Sequence, residues 1–340
     1  MVTLTNVQSS NAQIATALPP GLVAVFVGAT NGIGETSLRE FARHARQPRV
    51  YFVGRSQEAG DRIAAECREL NPEGEFIFIK ADVSLLTSVD NVCREIASKE
   101  RCINLLFLTC GSALSHVDTS EGLHIFMALA YYARARFILN LLPLLRQAPS
   151  LRRVVTVLAA GHEGQIHASD FQGRKVPLSS IRGHNVSMTD LMLEHMASLA
   201  PEVSFVHDYP GPVKSGFGRE TNSVLMKVAI TIFKIVGPLV YVPIRESGER
   251  HLFFATSARY KPRVGSEAAG VSVSGGVGVS GGTDGEVGSG VYAVNWDGES
   301  AGPKSLQVLA KMRGEGMVQR LWEHTMMEFK RVTGVESLVE

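Results

Sequence analysis

The chain has 340 residues, 45% of them hydrophobic, and a formal net charge of +1. That length buries a full core and suits one large α/β domain, while a near-neutral charge without a long basic run gives no case for nucleic acid as a partner. Four cysteines, Cys67, Cys93, Cys102 and Cys110, show no C-x-x-C pairing and fall inside predicted helices and strands, so a reducing, cytoplasmic setting is expected and a metal site is not.

Residues 1–20 are polar, carry no charged start followed by an apolar core, and read as a flexible segment without a secretory signal. The first predicted strand, residues 22–27, runs into Gly28-Ala29-Thr30-Asn31-Gly32-Ile33-Gly34 and then a helix over residues 35–46. Strand, glycine turn and helix start make a phosphate cradle. Glycine lets the backbone turn sharply and approach a pyrophosphate, and free N–H groups with the helix dipole stabilise its charge. The spacing G-x-x-x-G-x-G resembles the form in which the short-chain dehydrogenase/reductase family binds NAD(P).

A second short apolar strand over residues 49–56 has Arg55 near its end, at the usual distance for a residue that reads the adenosine ribose. A guanidinium there pairs with a 2′-phosphate and favours NADP; a solvated loop arginine is the plain alternative. A helix over 57–70 and a strand over 75–80 lead to Ala81-Asp82-Val83-Ser84. The resemblance makes Asp82 and Val83 cofactor contacts near the adenine, and Asp82 two residues before Ser84 is equally a capping signal. After a helix over 84–100, residues 103–111 form the near-continuous apolar run of a parallel strand buried on both faces. It closes in Leu108-Thr109-Cys110-Gly111 where the family carries Asn-Asn-Ala-Gly, so only Gly111 is kept as a cofactor contact.

A long helix is predicted over 121–146, and an ungapped match puts Ala130 at the family's asparagine position. The fifth strand, 153–158, is followed by Ala159 where the family has its catalytic serine. The family's Tyr-x-x-x-Lys pair supplies the proton and, one turn later, the cation that lowers the tyrosine pKa. Between Val176 and Asp208 neither residue type occurs. Counted back from the sixth strand, 203–207, the pair falls on Ser180 and His184; a helix shorter by a turn puts it on Asn185 and Thr189. In both registers His184 lies in or beside the pocket, and its near-neutral pKa makes it the leading acid/base group, with a cap or surface role as the alternative.

Strand six runs into Tyr209-Pro210-Gly211-Pro212-Val213. This resembles the family's Pro-Gly motif that lines the nicotinamide, with Pro210, Gly211 and Val213 as contacts at the sheet end where open α/β folds bind ligands. Residues 220–244 are very apolar, with Lys227, Thr231 and Lys234 on a narrow stripe. They read as a lid helix over the substrate or a helix lying in a membrane interface; the two lysines and Gly237-Pro238 argue against a span. The Gly/Ser-rich stretch 264–290 is expected to be a disordered, dispensable insertion. Residues 291–294 supply a seventh strand and 305–332 a single C-terminal helix.

The resemblance implies a single Rossmann-like, doubly wound α/β domain over residues 21–340, its seven-stranded parallel sheet covered by helices on both faces. It implies NADP(H) as cofactor and hydride transfer to or from a carbonyl or alcohol of a small apolar substrate, a secondary-metabolite intermediate, since the tail is similar to fungal members. The missing serine, tyrosine, lysine and asparagine leave two alternatives. One is a non-redox isomerase or cyclase on the same fold. The other is a catalytically silent subunit of a homo- or hetero-oligomer that pairs through helices 121–146 and 187–200.

Overall fold

The computed structural model describes residues 1–112, 117–213, 241–265 and 269–338. Seven parallel strands form one sheet: β1 (Val23–Val27), β2 (Arg49–Gly54), β3 (Glu75–Lys80), β4 (Leu105–Leu108), β5 (Arg153–Val157), β6 (Ser204–Tyr209) and β7 (Val291–Asn295). Their order is β3-β2-β1-β4-β5-β6-β7, so the chain reverses its winding between β1 and β4. Adjacent strand ends diverge there and open a crevice at the carboxyl edge. The strands are apolar at successive positions because both faces are covered: Val23, Val25 and Val27 join one core, Ala24 and Phe26 the other.

On one face pack α3 (Gly32–His44), α4 (Gln57–Leu70) and α8 (Ile244–Thr256). The other face carries α5 (Leu86–Lys99), α6 (Ile125–Arg146) and α7 (Leu178–Leu199). The long apolar α6 is mostly buried, which accounts for its hydropathy without a membrane. It starts later than predicted because Glu121 is used elsewhere: its carboxylate accepts from the N–H groups of Leu86 (2.6 Å) and Thr87 (3.0 Å) and caps α5. A π turn over Ala128–Tyr132 interrupts α6 and contains Ala130.

The structure corrects four expectations. Residues 1–20 are not flexible: α1 (Leu4–Ala12), capped by Thr3, and α2 (Ile14–Ala17) bury Val7, Ile14 and Leu18 against the α3 and α8 side. The polar composition hid a sparse apolar stripe that one packed helix can use. The described part of 264–290 is likewise ordered. Val271 is fully buried, its N–H donates to Thr256 O (2.8 Å), and the buried Arg153 guanidinium donates to the carbonyls of Phe254, Ser257 and Ala269. Backbone hydrogen bonds hold this stretch where composition offered few bulky side chains.

The single C-terminal helix is in fact two, α9 (Pro303–Gly314) and α10 (Met317–Thr333), parted by Gly316 at φ 69°. Finally, α10 lies across α6 and α7. Tyr131 hydrogen-bonds Thr325 (2.8 Å), Tyr132 bonds His324 (2.7 Å), and the Trp322 ring sits 4.1 Å from that of His195. The helix faces expected to pair with another subunit are covered by the chain's own C-terminus. The predicted lid over 220–244 lies outside the described residues up to residue 240.

Candidate functional site

The cradle is closed so tightly that side chains are excluded. A Cβ on Gly28, whose φ is +84°, would sit 2.7 Å from Cys110 N, and one on Gly34 would sit 2.5 Å from Thr109 Oγ1. Thr109 Oγ1 donates to the carbonyls of Val27 (3.0 Å) and Gly28 (3.1 Å), tying the end of β4 to the glycine turn. Thr30 packs on Gly54, where a Cβ would meet Thr30 Cγ2 at 2.3 Å. Asn31 is the exposed N-cap of α3, and Gly32 and Ile33 follow half-exposed in its first turn, so that turn's N–H groups point at the crevice.

Around the same crevice stand the other predicted contacts. Arg55 is exposed at the end of β2, and Gly111 is exposed past β4 with open space beside it. Asp82 accepts from the N–H (3.0 Å) and hydroxyl (2.8 Å) of Ser84, so its capping role is real; its exposure leaves a carboxylate edge toward solvent, and Val83 is buried beneath it. Pro210, Gly211 and Val213 are half-exposed at the end of β6, where Gly211 takes φ +71° against the Trp296 ring. A dinucleotide fits this arrangement: glycine-lined backbone for the pyrophosphate, a cation at the ribose end and a Pro-Gly turn at the far end.

The acid–base candidates fare differently. His184 is fully buried, with Nδ1 accepting from the His167 N–H (3.1 Å) and Nε2 donating to Phe171 O (3.1 Å). Both nitrogens are spent on the loop before α7, and burial holds the imidazole pKa below its usual value, so it is a structural histidine and not the proton donor. Ser180 lies in the first turn of α7, while Asn185 and Thr189 are buried, with Thr189 bonded back to Asn185 O (3.0 Å). Gly183 and Ser187 are the pair that packs on Gly164 in the loop after β5: Ser187 Oγ accepts from Gly164 N–H (3.0 Å) and donates to Gly164 O (2.7 Å), and a Cβ on Gly164 would lie 3.0 Å from Gly183 Cα. Loop backbone therefore fills the space beside α7 in which a tyrosine side chain would project.

Beneath this loop lies a polar column that sequence reasoning missed. His207 Nε2 accepts from Ala159 N–H (3.3 Å) and its Nδ1–H donates to Asp190 Oδ1 (2.7 Å); Glu163 Oε1 accepts from Gly161 N–H (2.7 Å), and Asp190 Oδ2 and Glu163 Oε2 are buried without a donor among the described residues. Burial pushes the Asp190 carboxyl well above its usual range and the His207 imidazole down to about 4, so the imidazole is neutral and donates from Nδ1 to Asp190. Arg134, buried in α6, spans the ends of β4 and β5 by donating to Leu108 O (3.2 Å), Cys110 O (2.5 Å) and Thr156 Oγ1. Above the column, at the rim, the Tyr209 ring meets the ring of His162 edge-on at 4.8 Å, and Arg182 lies over its face at 5.2 Å. These residues come from separate elements, and the only local signal was Tyr209 standing directly before Pro210-Gly211.

A profile described as short chain dehydrogenase matches residues 22–169. The chain is 40% identical over 331 residues to "Oxidoreductase AN1596" of Emericella nidulans, covering 96% of this chain and 97% of that protein. It is 30% identical to "Short-chain dehydrogenase/reductase SAT2" of Stachybotrys chartarum, covering 91% and 92%. Among solved structures, L-sorbose reductase from Gluconobacter frateurii, complexed with NADPH and L-sorbose, superimposes with a TM-score of 0.53 at 15% identity, over 76% of this chain and 97% of that one.

Proposed function

Since this chain belongs to the short-chain dehydrogenase/reductase family and is an oxidoreductase of that family, we propose that it is an NADP(H)-dependent reductase or dehydrogenase acting on a carbonyl or alcohol of an apolar secondary-metabolite intermediate. The observation that carries this reading is the cradle in which any Cβ at Gly28 or Gly34 would strike the end of β4. When bound, the dinucleotide supplies or accepts hydride. The chain's own residues hold it: the first turn of α3 binds pyrophosphate, Arg55 faces the 2′-phosphate, and Pro210, Gly211 and Val213 line the nicotinamide. Arg134 and Thr109 brace the strand ends on which it rests.

A second reading has its own support. Gly164 backbone occupies the space beside Gly183 and Ser187, and a pocket without the family's tyrosine and lysine suits shape control of a reactive intermediate in an isomerase or cyclase. One experiment separates them: purified protein with NADPH and candidate carbonyl intermediates, followed by absorbance at the dihydronicotinamide band and by product mass. Loss of absorbance with a gain of two hydrogens in the product supports the reductase. An isomeric product with the cofactor unchanged overturns it.

A further inference from the structure

We propose that Tyr209, flanked by His162 and Arg182, is the proton donor of this cleft and takes the place of the tyrosine missing from α7; this rests on the reductase reading above. Side chains alternate along β6, and His207 points to the α7 side, where it meets Asp190. Tyr209, two residues on, points to the same side at the carboxyl rim, half-exposed, immediately before Pro210-Gly211. His162 reaches it from the loop after β5, immediately after the exposed backbone turn at Gly161 (φ +83°). Arg182 reaches it from α7, adjacent to Gly183, with its guanidinium 5.2 Å above the ring. Loop after β5, start of α7 and end of β6 are thus the three elements that converge on one phenol.

The chemistry closes without a further reagent. In the reduction the carbonyl carbon gains hydride from the dihydronicotinamide, which is oxidised, and the C=O π pair moves onto oxygen. The Tyr209 hydroxyl gives its proton to that oxygen, forming the alcohol. The phenolate left behind has Arg182 over its ring, where a cation offsets the developing charge, and it regains a proton from water at the exposed His162 edge. The other tyrosines with a known setting nearby, Tyr131 and Tyr132, are fully buried and bonded to Thr325 and His324.

The test has two arms. Tetranitromethane nitration mapped by peptide mass should mark Tyr209 in the free protein, and saturating NADP+ should shield it. In the second arm, NADPH oxidation is followed with 9,10-phenanthrenequinone as a generic carbonyl probe. Tyr209→Phe, which removes only the hydroxyl, should lower turnover by about 100-fold or more while the NADPH dissociation constant stays within about twofold. Arg182→Gln should lower turnover less, and Arg182→Lys should restore part of it. Full turnover in Tyr209→Phe, or no shielding by NADP+, overturns the assignment and leaves the reductase reading standing. A wild-type protein that binds NADPH but reduces neither this probe nor a panel of aromatic ketones overturns the reductase reading, and the donor with it.

Discussion

Two side chains show how differently single residues follow from sequence. Arg55 stands exposed at the end of β2, as its place in the sequence predicts. Hydrogen bonds to a charged group contribute about 1.5–3 kcal/mol, so Arg55→Ala should weaken NADPH binding by about 10- to 100-fold and NADH binding much less, as read by calorimetry. Equal losses for both cofactors would remove the phosphate from the argument. His184 does the opposite of what its residue type suggests, because burial and two backbone partners fix it as neutral. Its folded pKa lies below the ordinary 6.5, so below that pH the unfolded chain binds a proton that the folded chain refuses. The stability His184 contributes is therefore fully present above pH 6.5 and is lost as pH falls from there through the lower folded pKa. The melting-temperature gap between wild type and His184→Gln should be wider at pH 7.5 than at pH 5.5; a gap independent of pH would mean that the imidazole is not shielded.

Among the elements, the glycine-rich stretch before β7 departs furthest from its composition. Thr283 N–H donates to Val291 O (2.9 Å), Ser280 N–H donates to Arg259 O (2.9 Å), and a Cβ on Gly270 would lie 2.0 Å from Thr256 O. Small residues here permit close backbone contact, which a count of bulky side chains reads as disorder. Val271→Ala should destabilise the protein by about 1–3 kcal/mol in urea unfolding, through lost burial and a partly collapsed cavity. Replacing 269–290 with a short Gly/Ser linker should lower the melting temperature clearly, since it removes one carbonyl partner of the buried Arg153 and the cover of β7. An unchanged melting temperature would show that these contacts contribute nothing. The cradle, by contrast, was legible at this scale because strand, glycine spacing and helix start are contiguous in the chain.

For the molecule as a whole, α9 and α10 cover part of the α6 and α7 surface. Leu321 and Phe329 of α10 are buried, and Arg313 of α9 pairs with Glu194 of α7 at 2.7 Å, so the α6 and α7 faces are already occupied. Light scattering at micromolar concentration should return one 36.8 kDa chain, and truncation after residue 302 should expose the apolar faces and drive association. A wild-type dimer would point to a different interface. The seven strands and the glycine turn after β1 are legible in the sequence, because each is written in a continuous run of residues whose period or glycine spacing has one local solution. The sequence also carries neither tyrosine nor lysine between Val176 and Asp208. It takes the packing of the elements to bring Gly183 and Ser187 of α7 onto the loop after β5, to bury His184, and to gather Tyr209, His162 and Arg182 at one rim. The physical reason is that helix register against a strand depends on the path of the intervening loop, and a contact among three elements leaves no periodic trace in any one of them.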